Sequence, residues 1–202
     1  SSELHKLNPD ILLYGEGWTA ADSPLPREER ALKSNTYLMP KIAAFSDEIR
    51  DGLKGHWSDH KSKGFVSGKT DLAESVKFGI VGGVNHPQID YKKVNNSKGA
   101  WAAEPHQCMV YVSCHDNHTL FDKLKIANPD ATEEEIRRMH LLSNFVVLTS
   151  QGVPFLHAGV EFLRTKDGVE NSYKSPDSVN LIDWDRKTRY RDHVKAYQEL
   201  IE

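Results

Sequence analysis

The run "ILLYGEGW", Ile11 to Trp18, changes character in its middle. Apolar residues that read as a buried strand end abruptly in Gly15-Glu16-Gly17-Trp18. The same grammar recurs along the chain. "KIAAF" (41–45) runs into Ser46-Asp47, "CMVYVSC" (108–114) into His115-Asp116-Asn117-His118, and "GVPFLHAG" (152–159) into Val160-Glu161. Helical spacing fills the intervals. Leu72, Val76 and Ile80 lie one turn apart before Gly82-Gly83, and Tyr190, Val194, Tyr197 and Ile201 mark a last amphipathic helix. Thr132 with Glu135 forms a capping box ahead of a helix whose face is read as Ile136, Met139, Leu142, Phe145 and Val146. Strands alternating with helices predict an α/β fold with a parallel sheet. In such sheets function gathers at the carboxyl ends of the strands, where Glu16, Asp47, Asp116 and Glu161 fall. Four strands are half of an eight-stranded barrel.

The rest of the chain is read as connection. Residues 3–8 are the end of a helix, 19–35 an ordered loop with a helical turn, 54–71 a surface loop, 85–107 a long surface excursion, and 164–180 a polar loop. With 202 residues and 38% hydrophobic content the chain is long enough to bury a core. A net charge of −3 gives no field that would draw nucleic acid or an anionic membrane surface. No run of 18 apolar residues spans a bilayer. Residues 1–10 lack the charged-then-apolar order of a signal peptide. Cys108 and Cys114, six apart, make neither a disulfide framework nor a metal motif.

Glu16 is the first chemical candidate. Glycines on both sides let a ligand approach the backbone, and Trp18 offers a flat face of the kind that stacks on a sugar ring. A partly desolvated carboxyl at this place would have a raised pKa and act as a general acid near neutral pH. The plainer reading is a strand-ending glutamate in a glycine turn. Asp116 with His115 is the second candidate, since both directly follow a strand, where they can face a pocket at the sheet's end. His115, Asp116 and His118 also invite a metal reading, but neighbours in an extended chain point to opposite sides and no distant cluster completes the set. The sequon at Asn117 reads as accidental. Two carboxylates at different strand ends of one sheet fit glycosidic chemistry, with an acid for the leaving oxygen and a carboxylate for the oxocarbenium-like centre.

Taken in order, "YGEGW", "FSDEIRDGLKG", "YVSCHDNHTLFDKL" and "GVPFLHAGVEFLRTK…ENSYKSPDSVNLIDW" resemble the fifth- to eighth-strand segments of type I pullulanases, debranching enzymes of glycoside hydrolase family 13, the α-amylase family. The resemblance covers nearly the whole chain. It implies that residues 1–202 are the second half of a catalytic (β/α)8 TIM barrel, strands five to eight with their helices, as one fragment without a second domain. It further implies that Glu16 is the acid/base for an α-1,6 glucosidic bond and that Asp116 stabilises the transition state. His115 and Trp18 would bind the sugars at the cleavage point, with Asn117 and Asp177 as further substrate contacts.

The departures matter as much. Leu181 stands where some pullulanases carry arginine, and Val160 where glutamate is usual, although Glu161 keeps the second acidic position. The family's reaction proceeds with retention through a nucleophilic aspartate in an Arg-x-Asp motif, and no Arg-x-Asp occurs in this sequence. Asn85-His86 imitates a third-strand motif, but Val81 occupies its aspartate position. The chain alone is therefore expected to be inactive, the longer enzyme to act on pullulan, glycogen or starch dextrins. Other readings are a fragment of an isoamylase- or neopullulanase-type hydrolase, and a non-catalytic glucan-binding half-barrel. No cofactor is evident. Calcium is common in the broader family, but no aspartate-rich calcium loop is visible. The resemblance leans toward a bacterial parent acting outside the cytoplasm. A half-barrel also has two unpaired sheet edges, through which it is expected to self-associate.

Overall fold

A computed structural model describes residues 2–202. A first helix, α1 (Ser2–Leu7), leads to strand β1 (Leu13–Gly15). Strand β2 (Ile42–Phe45) passes directly into α2 (Asp47–Lys54), and α3 (Ala73–Ile80) packs against α2. Strand β3 (Cys108–Val110) is followed by α4 (Leu120–Ala127), α5 (Glu133–Leu148) and strand β4 (Val153–Pro154). The chain then makes α6 (Asp177–Asn180), α7 (Asp185–Arg189) and α8 (Arg191–Ile201). The four strands form one parallel sheet in sequence order. Leu13 to Gly15 lie beside Ile42 to Ala44, Ala44 and Phe45 beside Cys108 and Met109, and Met109 and Val110 beside Val153 and Pro154. Among the described residues no helix is long and apolar enough to cross a membrane.

Alternation along the strands gives the sheet two different faces. On one, Cys108, Val110 and Val112 join Ile49, Leu53, Val76, Leu120, Leu124, Ile136 and Val147 from the helices in a single buried core. The register puts Tyr14, Phe45, Tyr111 and Phe155 on the other. Their rings meet edge to face, with centroids 4.9 Å (Phe45–Tyr111), 5.1 Å (Phe45–Phe155) and 5.8 Å (Tyr14–Phe45) apart. Tyr14 from the first strand even reaches Phe155 beyond the last, at 6.2 Å, so the sheet is strongly curled.

Several sequence expectations need correction. The third strand is three residues long rather than seven. The buried run continues through Ser113, but β4 is so short that Phe155 N–H, 2.8 Å from the Val110 carbonyl, is its last donor to β3. Helix α4 was not anticipated. Thr119 caps it by accepting from Asp122 N–H at 3.2 Å, and Leu120, Phe121 and Leu124 enter the core. The capping box of α5 is present, yet its buried stripe is Ile136, His140, Ser143, Asn144 and Val147, while Leu142 and Phe145 are each 44% exposed. The excursion 85–107 has a small core of its own, in which Ile89 and Val94 pack on Phe78. The polar loop 164–180 contains helical turns at 172–174 and 177–180, joined by Ser172 Oγ donating to Asn180 Oδ1 at 2.8 Å. Tyr190 at the start of α8, and Val194 and Tyr197 within it, are buried as expected, and Ile201 is exposed.

Candidate active site

At the carboxyl end of β1, Glu16 is exposed, as is Trp18. The expected desolvation of Glu16 is therefore not seen in this chain. The two flanking glycines also serve different ends. A side chain at Gly15 would meet nothing within 4 Å, so this side of Glu16 is open. Gly17 has φ +77°, and a Cβ there would stand 2.8 Å from Ala44 Cβ and 2.9 Å from Lys33 Cγ. Gly17 is thus required by its backbone and by the close approach of β2, and its carbonyl accepts from Lys33 N–H at 2.8 Å.

At the end of β2, Asp47 is committed to structure. Lys33 Nζ is bonded to Asp47 and, at 2.8 Å, to Glu48 Oε1. Glu48 is fully buried, and Ser46 Oγ and Ser97 Oγ also donate to it. Burial works against the Lys33 charge, but the facing carboxylates of Glu48 and Asp47 outweigh it and raise its pKa above the ordinary lysine value. This buried pair fixes the 33–36 segment against α2 and so supports the Glu16 loop from below. Sequence reading missed it because Lys33 sits in a polar loop with no periodicity.

At the end of β3, the His115 and Asp116 side chains are 85% and 55% exposed, with His115 Nε2 3.3 Å from Asp116 Oδ1. Asn117 adopts φ +59° and its Nδ2 donates to Glu170 Oε1 at 3.4 Å. His118 turns the other way, 3% exposed, with neither ring nitrogen hydrogen-bonded and the His60 ring packed edge to face with centroids 4.7 Å apart. Burial first, and His60 second, lower its pKa. His115 and His118 thus face opposite sides, and among the described residues no group of three or more His, Cys, Asp or Glu is placed to hold a metal. Lys54, beneath this turn, is buried, and that burial, with Arg50 next in weight, pushes its pKa down to about 8.

Beyond β4, His157 Nε2 lies 3.2 Å from Arg164 Nη1, and as Arg164 donates, His157 accepts as a neutral ring. Burial and Arg164 hold its pKa down at about 3. Asp177 opens α6 in an exposed position, near Leu181, which is also exposed. The fold therefore brings Glu16, His115 and Asp116 to one end of the sheet, with β2 between the strands that carry the two carboxylates. Lys166, Glu170 and His60, which surround the Asp116 turn, were not foreseen.

No family model matches the chain. The chain is nonetheless similar to pullulanases along nearly its whole length. Over 202 residues, 97% of the chain, it is 41% identical to the pullulanase of Bacillus subtilis. Pullulanase A of Streptococcus pneumoniae is 33% identical over 239 residues, covering 96% of the chain. Among solved structures, type I pullulanase from Bacillus subtilis complexed with maltose superimposes on 99% of the chain with a TM-score of 0.91 and 40% identity. Pullulanase from Paenibacillus barengoltzii, in complex with maltohexaose and α-cyclodextrin, gives 0.89 and 46%. The chain spans about a quarter of the length of the Bacillus subtilis pullulanase (26%) and 30% of the Paenibacillus chain. Its four parallel strands match part of these pullulanase structures and fit a partial barrel.

Proposed function

We propose that this chain supplies strands five to eight of the catalytic (β/α)8 barrel of a family 13 hydrolase that debranches α-glucans by cleaving α-1,6 bonds with retention. The observation that carries the reading is the near-complete match of the chain to pullulanases, with Glu16 and Asp116 at the carboxyl ends of β1 and β3. In this reading Glu16 protonates the glycosidic oxygen and later deprotonates water. Its exposure here leaves it open to a sugar, and closure of the site around substrate would supply the desolvation an acid needs. Asp116 bears on the oxocarbenium-like centre, His115 on the hydroxyls of the same sugar, and Trp18 on its apolar face; Asn117 and Asp177 contact glucan nearby. The nucleophile comes from the Arg-x-Asp element that this sequence lacks, so the chain by itself binds glucan without cutting it.

Pullulan hydrolysis, followed as reducing sugar, tests the reading in two proteins. The 202-residue chain alone is expected to release none. Joined to the upstream portion of the Bacillus subtilis pullulanase, it is expected to hydrolyse pullulan, and Glu16→Gln in that chimera to lower kcat at least about 100-fold. Hydrolysis by the isolated chain would overturn the missing-nucleophile reading. A folded chimera that stays fully active with Glu16→Gln would remove Glu16 from the acid/base role.

A further inference from the structure

Between the last laddered residue of β3, Val110, and the cap of α4, Thr119, the chain carries Asp116 on a turn with no regular structure of its own. Asn117 within it occupies a left-handed conformation that costs a non-glycine residue about 1 kcal/mol, Asn being among the few that tolerate it. Such a turn holds its shape only if its surroundings determine it.

The segment between β4 and α6 grips it at two points. Lys166 Nζ donates to the His115 carbonyl at 3.0 Å, one residue before Asp116. Glu170 Oε1 accepts from Asn117 Nδ2 at 3.4 Å, one residue after it. The other Glu170 oxygen stands 3.6 Å from His60 Nε2, and the His60 ring leans on His118. The gripping segment is itself anchored, since Asp122 in α4 accepts from Thr165 Oγ1 at 2.5 Å and from Lys166 N–H at 2.8 Å. On the far side, Lys123 Nζ donates to the carbonyls of Asp59 at 2.6 Å and His60 at 3.0 Å, which fixes the loop that presents His60.

Lys166 is an unusual choice for a purely structural contact. It is 3% exposed, and its ammonium is hydrogen-bonded to a neutral carbonyl rather than to a carboxylate. Burial first, and Arg164 second, lower its pKa, while Cys114, Asp116 and Asp122 act more weakly in the opposite sense.

We infer that Lys166 and Glu170 are positioning residues, which clamp the 115–118 turn on either side of Asp116 and set where its carboxylate stands. The clamp itself is a property of this chain. That it serves sugar binding rests on the function proposed above.

The test uses the 202-residue chain and two measurements, the backbone amide resonances of residues 115–118 without ligand and the affinity for maltotetraose. Glu170→Ala and Lys166→Met are each expected to shift or broaden those amides while the amides of α5 and α8 stay in place, and to weaken maltotetraose binding at least fivefold. Glu170→Gln keeps an acceptor for Asn117 and is expected to restore both readouts to within twofold of the parent chain, a rescue that loss of charge alone would not give. Should Glu170→Ala not fold, Asn117→Gly removes the same bond from its other end, read only on the 115, 116 and 118 amides because Asn117 is itself a proposed sugar contact. Unmoved 115–118 amides would overturn the clamp, and moved amides with unchanged sugar affinity would overturn its role in setting Asp116 for the sugar. Moved amides in a parent chain that does not bind maltotetraose would uphold the clamp and count against the glucan reading instead.

Discussion

Glu16 sits between two glycines that look equivalent in sequence and differ in space. Gly17 is held in the left-handed region with Ala44 and Lys33 against it, whereas Gly15 faces open space. A methyl group at Gly17 must therefore both strain the backbone and displace β2 or Lys33. Gly17→Ala is expected to lower stability by about 1–3 kcal/mol, Gly15→Ala by less than about 1 kcal/mol, as read from urea midpoints. Equal costs would show that the turn is not fixed as described. The asymmetry also divides the motif by purpose. Gly17 seats the turn on its neighbour strand, and only the Gly15 side leaves room for a ligand. The carboxylates at the strand ends divide similarly. Asp47 follows β2 as Asp116 follows β3, yet Asp47 is tied to the buried Lys33–Glu48 pair while Asp116 stays more than half exposed. Position at a strand end was readable from the residues alone. Which carboxylate remains free was not, because it depends on Lys33, whose loop has no pattern to announce where its ammonium goes.

Helices α5 and α8 pack through polar side chains that an apolar-stripe reading passes over. His140, fully buried on α5, has its Nδ1 3.3 Å from His193 Nε2 and 3.2 Å from the Tyr197 hydroxyl, both on α8. Sequence reading placed the inner face of α5 on Leu142 and Phe145, since hydrophobicity was the only signal available. A histidine whose Nδ1 meets partners 53 and 57 residues away takes an interior position that leucine would otherwise fill, so the stripe is rotated by those contacts, although its Nε2 has no partner. Helix α4 escaped notice for a related reason. Its apolar positions follow the polar "CHDNHT" run without a glycine or proline to separate strand from helix. The capping box of α5, by contrast, is a local signal, and it was legible. The paired histidines make the interface acid-labile. Burial, then His193, keeps His140 well below its ordinary pKa, and burial, then Arg137, brings His193 to about 4. Unfolded histidines take up protons near pH 6.5, so their contribution to stability is complete above that pH and is lost as pH falls toward 4. Urea midpoints are expected to drop between pH 7 and pH 4.5, and His193→Leu to flatten that drop. An unchanged slope in His193→Leu would show that His193 is already protonated in the folded chain.

On the scale of the whole molecule, the sheet is curved, with helices over one face and aromatic rings lining the other. Helices cover the Cys108–Val110–Val112 side, while Tyr14, Phe45 and Phe155 leave rings on the other, Tyr14 being 51% exposed. Both outer strands have one unpaired side, β1 beyond Leu13–Gly15 and β4 beyond Val153–Pro154. The two edges are not equally open. Phe155 N–H points to Val110, so by alternation Pro154 presents its missing N–H outward and blunts the β4 edge. Strand β1 has no such guard, and its exposed neighbours Leu12 and Tyr14 add apolar surface to unpaired backbone. An edge of that kind takes another strand when one is available. The isolated chain is therefore expected to self-associate, with a light-scattering mass that rises with concentration from micromolar to hundreds of micromolar. Tyr14→Lys, which puts a charge on the bare face beside β1, is expected to shift that rise to at least tenfold higher concentration. Joining the chain to an upstream half-barrel should abolish the rise, because the added strands occupy the same edges. A monomer at every concentration would mean that the curl joining Tyr14 to Phe155 already shields β1, and that the bare face needs no partner to remain in water.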